Sequence, residues 1–311
     1  MTANSVETGR LFVMRWTLWI AFVALCVLSG TSWVIPQEMT PGLPSLEQQG
    51  VLFGVIGLFA LVCARRGVWV RVMGMQCVWL GAAAVGFFGI PMVVTEYAQG
   101  SVAEINRSAL FAMVPIVVVL ALAAGEAGTR EERGARKFLV PALVGLGGLL
   151  LLLPFHFFSS ARGLVMLGAV CAAVIVVGIA SVWLYRLLRG VNVADAVAVV
   201  GVSNAVFLLA WGGIREEIVW RGSELTSVVS VSSLVDVVEV LLMIWLLREM
   251  SPVRFAARYL LIPLLVVLES YVLVRPEWTV RIGFGTVLLA AGAGMLLFGK
   301  AGEEETGLSL R

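Results

Sequence analysis

The sequence predicts an all-α integral membrane protein with about ten transmembrane helices, arranged as two inverted five-helix repeats. Three observations support this prediction. Of the 311 residues, 60% are hydrophobic and only 14% are charged, which is more apolar surface than a soluble core needs. Apolar runs near membrane-spanning length recur along the whole chain. A pattern that runs from Arg107 to Leu153 is repeated from Arg254 to Gly299.

Ten apolar spans follow one another, and each is close to the ~20 residues that a helix needs to cross ~30 Å of hydrocarbon. Because a backbone in lipid must satisfy its own hydrogen bonds, such runs are expected to be helices. Arg10 and Arg15 precede the first run as in a signal peptide, but its length and the many later spans favour a retained first helix. Spans 1 to 10 lie at about 16–34, 49–64, 70–94, 102–124, 138–154, 163–188, 194–213, 227–247, 253–274 and 280–298.

The repeated pattern is a helix with a proline, a charged turn, and a second helix that contains glycines. Pro115 corresponds to Pro263, and the turn at Gly125 and Glu126 corresponds to the turn from Arg275 to Glu277. The glycines are expected to allow close helix packing; they are Gly145, Gly147, Gly148, Gly292 and Gly294. The repeats are predicted at 16–154 and 163–298, and an odd number of spans in each inverts the second copy.

The distribution of positive charge predicts that both termini are cytoplasmic. With that orientation, 16 of the 22 Lys and Arg residues fall on the cytoplasmic side and 6 on the other side, as the positive-inside rule requires. Arg254 and Arg258 belong to the cytoplasmic set. A net charge of +2 and the lack of a basic stripe argue against a nucleic-acid partner.

The composition also predicts neither a metal site nor a cofactor. The four cysteines form no CxxC pair, and His156 is the single histidine, so a zinc site built by the protein is not expected. No GxxxxGK[ST] motif is present, which argues against ATP hydrolysis. The cysteines at positions 26, 63, 77 and 171 are interpreted as small hydrophobic residues.

The duplicated proline, turn and glycine pattern resembles the two EamA domains of the drug/metabolite transporter superfamily. The runs LSGTSWVIPQEMTPGLPSLEQQG and VIVVGIASVWLYRLL resemble the corresponding segments of that family. The resemblance implies a carrier, not an enzyme, that exports a small metabolite or drug-like solute across the inner membrane around a central cavity. A proton gradient or solute exchange is the expected energy source, with protons as the candidate coupling ion, and a monomer or a homodimer fits the fused repeats. Glu47, Gln48 and Gln49 stand where family members often carry a basic residue.

Carboxylates within the spans are candidates for coupling or substrate binding, since ionisable groups are costly in lipid. Asp236 and Glu239 lie three residues apart on one face of span 8. Two like charges so close disfavour each other's ionisation, which suits proton coupling; a polar stripe facing water is the alternative. Glu269 follows Pro263 by six residues in span 9, where the proline permits a bend.

Further polar and aromatic candidates lie in spans 1, 4 and 7. Arg107 could hold a carboxylate or phosphate, or could pair with Glu104 at the membrane interface. Asn204 in span 7 is expected to form a hydrogen bond between helices. Trp33 could stack on a substrate, although tryptophan is also common at interfaces.

Two alternatives to a carrier remain at this stage. Glu216, Glu217 and Arg221 form an EExxxR string that resembles the first motif of CAAX-processing membrane endopeptidases. No histidine follows Arg221, so the later motifs of those enzymes are missing, and a solvated loop with Glu217 paired to Arg221 also explains the string. The other alternative is a membrane scaffold that transports nothing.

Overall fold

A computed structural model describes residues 3–31, 45–63, 74–99, 101–102, 104–124, 134–152, 161–215, 231–273 and 279–299. The regular elements in these ranges are helices, and none of the residues within them forms a strand. The helices are α1 (Ala3–Thr31), α2 (Ser45–Cys63), α3 (Met75–Ala84), α4 (Ile90–Ala98), α5 (Glu104–Phe111), α6 (Val114–Ala124), α7 (Leu139–Leu152), α8 (Ala161–Leu188), α9 (Val193–Ile214), α10 (Val231–Glu249), α11 (Pro252–Ala256), α12 (Arg258–Leu273) and α13 (Val280–Phe298).

Five helices are long and apolar enough to cross a membrane, so the predicted all-α membrane protein is confirmed. They are Leu46–Cys63, Met75–Ala98, Ala161–Leu188, Val193–Ile214 and Val280–Phe298. Shorter apolar helices cover Trp16–Gly30 and Ala109–Ala124. The surface agrees with a lipid environment: Val62 and Val280 are 85% and 86% exposed, whereas Asn204 and Arg258 are 0% and 5% exposed.

The first helix is longer than predicted. It begins at Ala3, and the prediction placed its start near Trp16. The stretch before Trp16 is polar, but it contains no proline and only one glycine, Gly9, so little in it ends a helix. Hydropathy marks only the part of a helix that lies in lipid and does not mark a polar extension.

Predicted spans 4 and 9 are each interrupted. Span 4 consists of α5 and α6, and the break lies just before Pro115. Proline lacks a backbone N–H, and its ring clashes with the carbonyl four residues earlier; that residue is Phe111, the last of α5. In span 9, α11 and α12 meet at Ala257, six residues before Pro263, which lies inside α12.

Span 3 contains a π-helical turn from Val85 to Gly89, between α3 and α4. The turn lies directly before Pro91, which cannot donate a backbone hydrogen bond to the preceding turn. A π-helical turn accommodates such a gap without ending the helix. The span therefore continues to Ala98, beyond the predicted end near residue 94.

The chain divides into two compact units, and each draws on both predicted repeats. Unit 1 comprises Met1–Ala82 and Leu184–Ser251; unit 2 comprises Ala83–Trp183 and Pro252–Arg311. A compact unit need not coincide with a repeat in the sequence, because a helix of one copy can pack on a helix of the other.

Within unit 1, α2 and α9 pack against each other through glycines. A Cβ added at Gly57 would lie 2.7 Å from the backbone nitrogen of Val202, and one added at Gly201 would lie 2.6 Å from the backbone of Gly57. Gly50, about two turns earlier on α2, faces Leu209 on α9. Because the residue numbers rise along α2 as they fall along α9, the two helices are antiparallel.

Within unit 2, α7 and α13 pack in the same way. A Cβ on Gly292 would meet the backbone of Gly145, and one on Gly285 would lie 2.9 Å from the carbonyl oxygen of Gly148. These two helices are also antiparallel. The prediction that glycines allow close packing is confirmed for Gly145, Gly148 and Gly292. Gly147 and Gly294 have open space around them instead.

Candidate functional site

Asp236 and Glu239 on α10, which were predicted as coupling or binding candidates, accept hydrogen bonds from two different helices of unit 1. Ser29 Oγ on α1 donates a hydrogen bond to Glu239 Oε1 at 2.5 Å. Gln49 Nε2 on α2 donates to Asp236 Oδ2 at 3.4 Å. The shared helix face predicted for Asp236 and Glu239 thus places both carboxylates in a polar cluster built by α1, α2 and α10.

Each carboxylate of this cluster has a polar neighbour that can adjust to its protonation state, so the arrangement is compatible with proton exchange. A polar stripe that transfers no proton has the same geometry. Ser29 and Gln49 were not predicted as partners of these carboxylates. The available signal was the amide of Gln49 at the start of predicted span 2, since an amide can donate to a carboxylate.

Asn204 lies on α9 in unit 1 and is fully buried. Its Nδ2 donates to the carbonyl oxygen of Val200 at 2.8 Å, four residues earlier on the same helix. Oδ1 has no hydrogen-bond partner within the described ranges. The predicted hydrogen bond between helices is not found among the described residues, where the side-chain amide donates to its own helix turn instead.

Arg107 lies on α5 in unit 2 and is half-buried. Its Nη1 donates to the carbonyl oxygen of Thr95 on α4 at 2.9 Å. This bond joins the end of span 3 to the start of span 4. The side chain of Glu104 lies outside the described residues, as do Trp33, His156, Glu216 and Glu217, so the interpretations of these residues stay predictions.

Glu269 lies on α12 in unit 2. The residue is half-buried, and its Oε2 is buried without a hydrogen-bond partner in the part of the chain that the structure describes. Its placement inside an apolar helix agrees with the sequence analysis. A coupling or binding role for this carboxylate stays a prediction.

A further charged residue of unit 2, Arg258, is buried among aromatic rings. It is the first residue of α12 and is only 5% exposed. The guanidinium carbon lies 4.4 Å from the ring centroid of Phe255, 4.6 Å from that of Tyr259 and 5.2 Å from that of Phe87. Nη2 also donates to the hydroxyl of Tyr259 at 2.8 Å. We call these four residues the Arg258 cluster.

The neighbours of Arg258 stabilise its buried charge but leave some of its donors unused. Removing an ion from water costs several kcal/mol, and desolvated cation–π contacts of about 2 kcal/mol each offset this cost without accepting the directional N–H hydrogen bonds. Within the described ranges, Nε and Nη1 have no hydrogen-bond partner, and no carboxylate pairs with the guanidinium. Most buried polar groups in proteins do have partners, so these donors mark Arg258 as a functional candidate.

The position of Arg258 in the sequence already marks it as a candidate. The residue falls inside predicted span 9, at about 253–274, where an ionisable group is a candidate by default. In the sequence-based prediction, Arg258 and Arg254 served only as positive charges that indicate the cytoplasmic side. The structure separates the two arginines, since Arg254 is exposed and Arg258 is buried.

No group of three or more His, Cys, Asp or Glu side chains within the described ranges is placed to hold a metal ion. Unit 1 instead has the two carboxylates of α10, each hydrogen-bonded to a side chain of another helix, and unit 2 has Arg258 and Glu269.

Comparison with known proteins extends the description of the fold. No protein-family model matches the chain, and no curated protein sequence matches it. Twenty-nine chains of solved structures match the fold. One of these, a protein crystal structure, has a TM-score of 0.64 and 20% identity, over 90% of this chain and 98% of that chain. At this identity the likeness shows a shared fold and leaves the activity open.

Proposed function

We propose that the chain is a secondary active transporter of the EamA type, with ten spans in two inverted five-helix repeats. The observation that carries the proposal is the antiparallel packing of corresponding spans. Span 2 (α2) packs on span 7 (α9), and span 5 (α7) packs on span 10 (α13). The members of each pair are five spans apart in the order of the chain.

Inverted repeats give this arrangement a simple explanation. When an odd number of spans separates two copies, corresponding helices cross the membrane in opposite directions. Helices that meet at the pseudo-two-fold axis then pack on their own counterparts, antiparallel. Many secondary transporters use such repeats and bind their solute near the middle of the bilayer. A membrane scaffold has no need for duplication with inversion.

Half-buried carboxylates support transport and indicate a means of coupling. Asp236, Glu239 and Glu269 lie within predicted spans 8 and 9, and carboxylates in membrane helices commonly serve proton or ion pathways. In this proposal a proton gradient drives export of a small metabolite or drug-like solute by alternating access. The membrane is the inner membrane, and both termini are cytoplasmic.

Counterflow in proteoliposomes tests the proposal. Purified protein is reconstituted with unlabelled solute inside, and uptake of labelled amino acids, nucleosides and organic anions is followed with and without a pH gradient. Accumulation above that of protein-free liposomes is expected for at least one solute class. A Glu216→Ala/Glu217→Ala variant serves as the control against a peptidase and should retain counterflow. If folded protein moves no solute of a broad panel, the transporter proposal is wrong.

A further inference from the structure

The free donors of Arg258 indicate what kind of group completes its cluster. Nε carries one N–H and Nη1 carries two, and neither nitrogen has a hydrogen-bond partner within the described ranges. The rings of Phe87, Phe255 and Tyr259 attract the positive charge. Aromatic faces offer no lone pairs to directional N–H donors, however, so acceptor oxygens are still needed.

We propose that Arg258 is the binding site for the carboxylate or phosphate group of an anionic ligand. Guanidinium donors match the geometry of such oxyanions, and hydrogen bonds between two ionised groups are the strong ones. Arg258 is only 5% exposed, so the site lies away from bulk water. Salt therefore screens the attraction between the two charges only weakly. The three rings favour an apolar or aromatic body on the ligand.

The elements that form the site hold the arginine in a fixed position. Phe255 ends the short helix α11, and Arg258 and Tyr259 begin α12 one residue after the break at Ala257. Phe87 belongs to the π-helical turn of span 3, and its ring also lies 6.2 Å from that of Phe255. Two helix irregularities thus meet at one cation, and π-helical turns are frequent at functional sites.

This inference rests on the proposed function in one respect: it takes the bound anion to be the solute that is transported. Binding itself is independent of transport and is measured at equilibrium. A negative counterflow result with intact anion binding would overturn the transporter proposal alone. Loss of anion binding with intact counterflow would overturn the Arg258 site alone.

The test uses the full chain in phosphatidylcholine nanodiscs, with labelled benzoate and inorganic phosphate as probes. Wild-type protein should bind at least one probe saturably. Because a hydrogen bond to a charged group contributes ~1.5–3 kcal/mol, Arg258→Met should weaken binding by about 10- to 100-fold. The matched control is Arg254→Met, which changes an exposed arginine one turn earlier and should leave binding within about twofold, since such a side chain lies in screened solvent.

Two milder variants keep the test valid if Arg258→Met does not fold, as judged by gel filtration and thermal unfolding. Arg258→Lys keeps the charge but loses the planar set of donors, so it should bind several-fold more weakly. Arg254→Lys makes the same change at the exposed arginine and should retain binding, so it is the matched control for Arg258→Lys. If the wild type binds neither probe, or if the Arg258 variants bind like the wild type, the proposal is wrong.

A second arm identifies the source of the anion. The same titrations are repeated in nanodiscs that contain phosphatidylglycerol. If a lipid headgroup occupies the site, phosphatidylglycerol should compete with benzoate and should raise the melting temperature of the wild type but not of Arg258→Met. If the ligand is a free solute, the added lipid should change neither quantity. Both results support the oxyanion site, and they distinguish a lipid from a solute.

Discussion

The ring of Phe111 stacks on the ring of Tyr259, with centroids 6.4 Å apart and planes inclined by 15°. Phe111 precedes Pro115 by four residues, and Tyr259 precedes Pro263 by four residues. The two rings therefore hold the same place relative to the proline in the two predicted copies of the pattern. Their contact joins spans 4 and 9 within unit 2, five spans apart like the two glycine-packed pairs.

The stack should contribute measurable coupling to stability. We expect a double-mutant cycle of Phe111→Leu and Tyr259→Leu to give an interaction energy of about 0.5–1.5 kcal/mol, the usual range for aromatic pairs. Chemical unfolding in detergent measures it. The control pairs Tyr259→Leu with Phe284→Leu, an exposed ring of α13, and should be additive within about 0.5 kcal/mol. Equal coupling in both cycles would argue against a specific stack.

Gly148→Ala should destabilise the protein, whereas Gly147→Ala should not. A Cβ at position 148 would meet backbone atoms of Leu289 and Gly285, but one at position 147 meets open space. Overpacking typically costs about 1–3 kcal/mol, while alanine favours an open helical site by up to about 1 kcal/mol. Thermal unfolding of the two variants tests this contrast between neighbours. Identical melting temperatures would contradict the close packing of α7 on α13.

Ser29→Ala should weaken the attachment of α1 to α10. The hydroxyl of Ser29 donates to Glu239, and hydrogen bonds between membrane helices contribute about 0.6 kcal/mol on average and at most about 1.7. We expect a loss in that range, and no further loss when Glu239→Met, which removes the acceptor oxygens, is already present. Ser203→Ala is the control, because that hydroxyl bonds to Val200 of its own helix. An equal loss in both backgrounds would show that the serine acts elsewhere.

Under the proposed function, Asp236→Asn and Glu269→Gln should separate coupling from transport. Each variant removes a carboxylate from a membrane helix, so accumulation driven by a pH gradient should fall to background while solute exchange continues. Glu249→Gln is the control on α10, since that carboxylate pairs with Arg248 at 3.5 Å near the end of the helix and should couple normally. Normal gradient-driven uptake by all three variants would exclude both carboxylates from coupling.

Features that depend on one helix at a time could be predicted from the sequence. The ends of α13, Val280 and Phe298, agree with the predicted span, because an apolar run bounded by polar residues marks the part of a helix in lipid. The common face of Asp236 and Glu239 follows from their spacing alone. Close packing at Gly145, Gly148 and Gly292 follows from the small size of glycine.

Features that depend on which helices meet could not be predicted. Nothing in the sequence around Gln49 or Ser29 indicates that their partners lie near the start of α10, 187 and 210 residues away. The burial of Arg258 and the exposure of Arg254 differ because the rings of Phe87, Phe255 and Tyr259 cover only the former. Asn204 was expected to bond to another helix, but its observed partner lies four residues away on its own helix.

Cysteine labelling in intact cells tests most directly the central claim, that corresponding spans of the two copies cross the membrane in opposite directions. Cys63 ends α2 and Arg215 follows α9, and both are exposed. With the other cysteines replaced by serine, Cys63 should react with a membrane-impermeant maleimide only after lysis. Arg215→Cys, in a background without other cysteines, should react in intact cells. Labelling of both positions from the same side of the membrane would contradict the inverted duplication and the transport mechanism based on it.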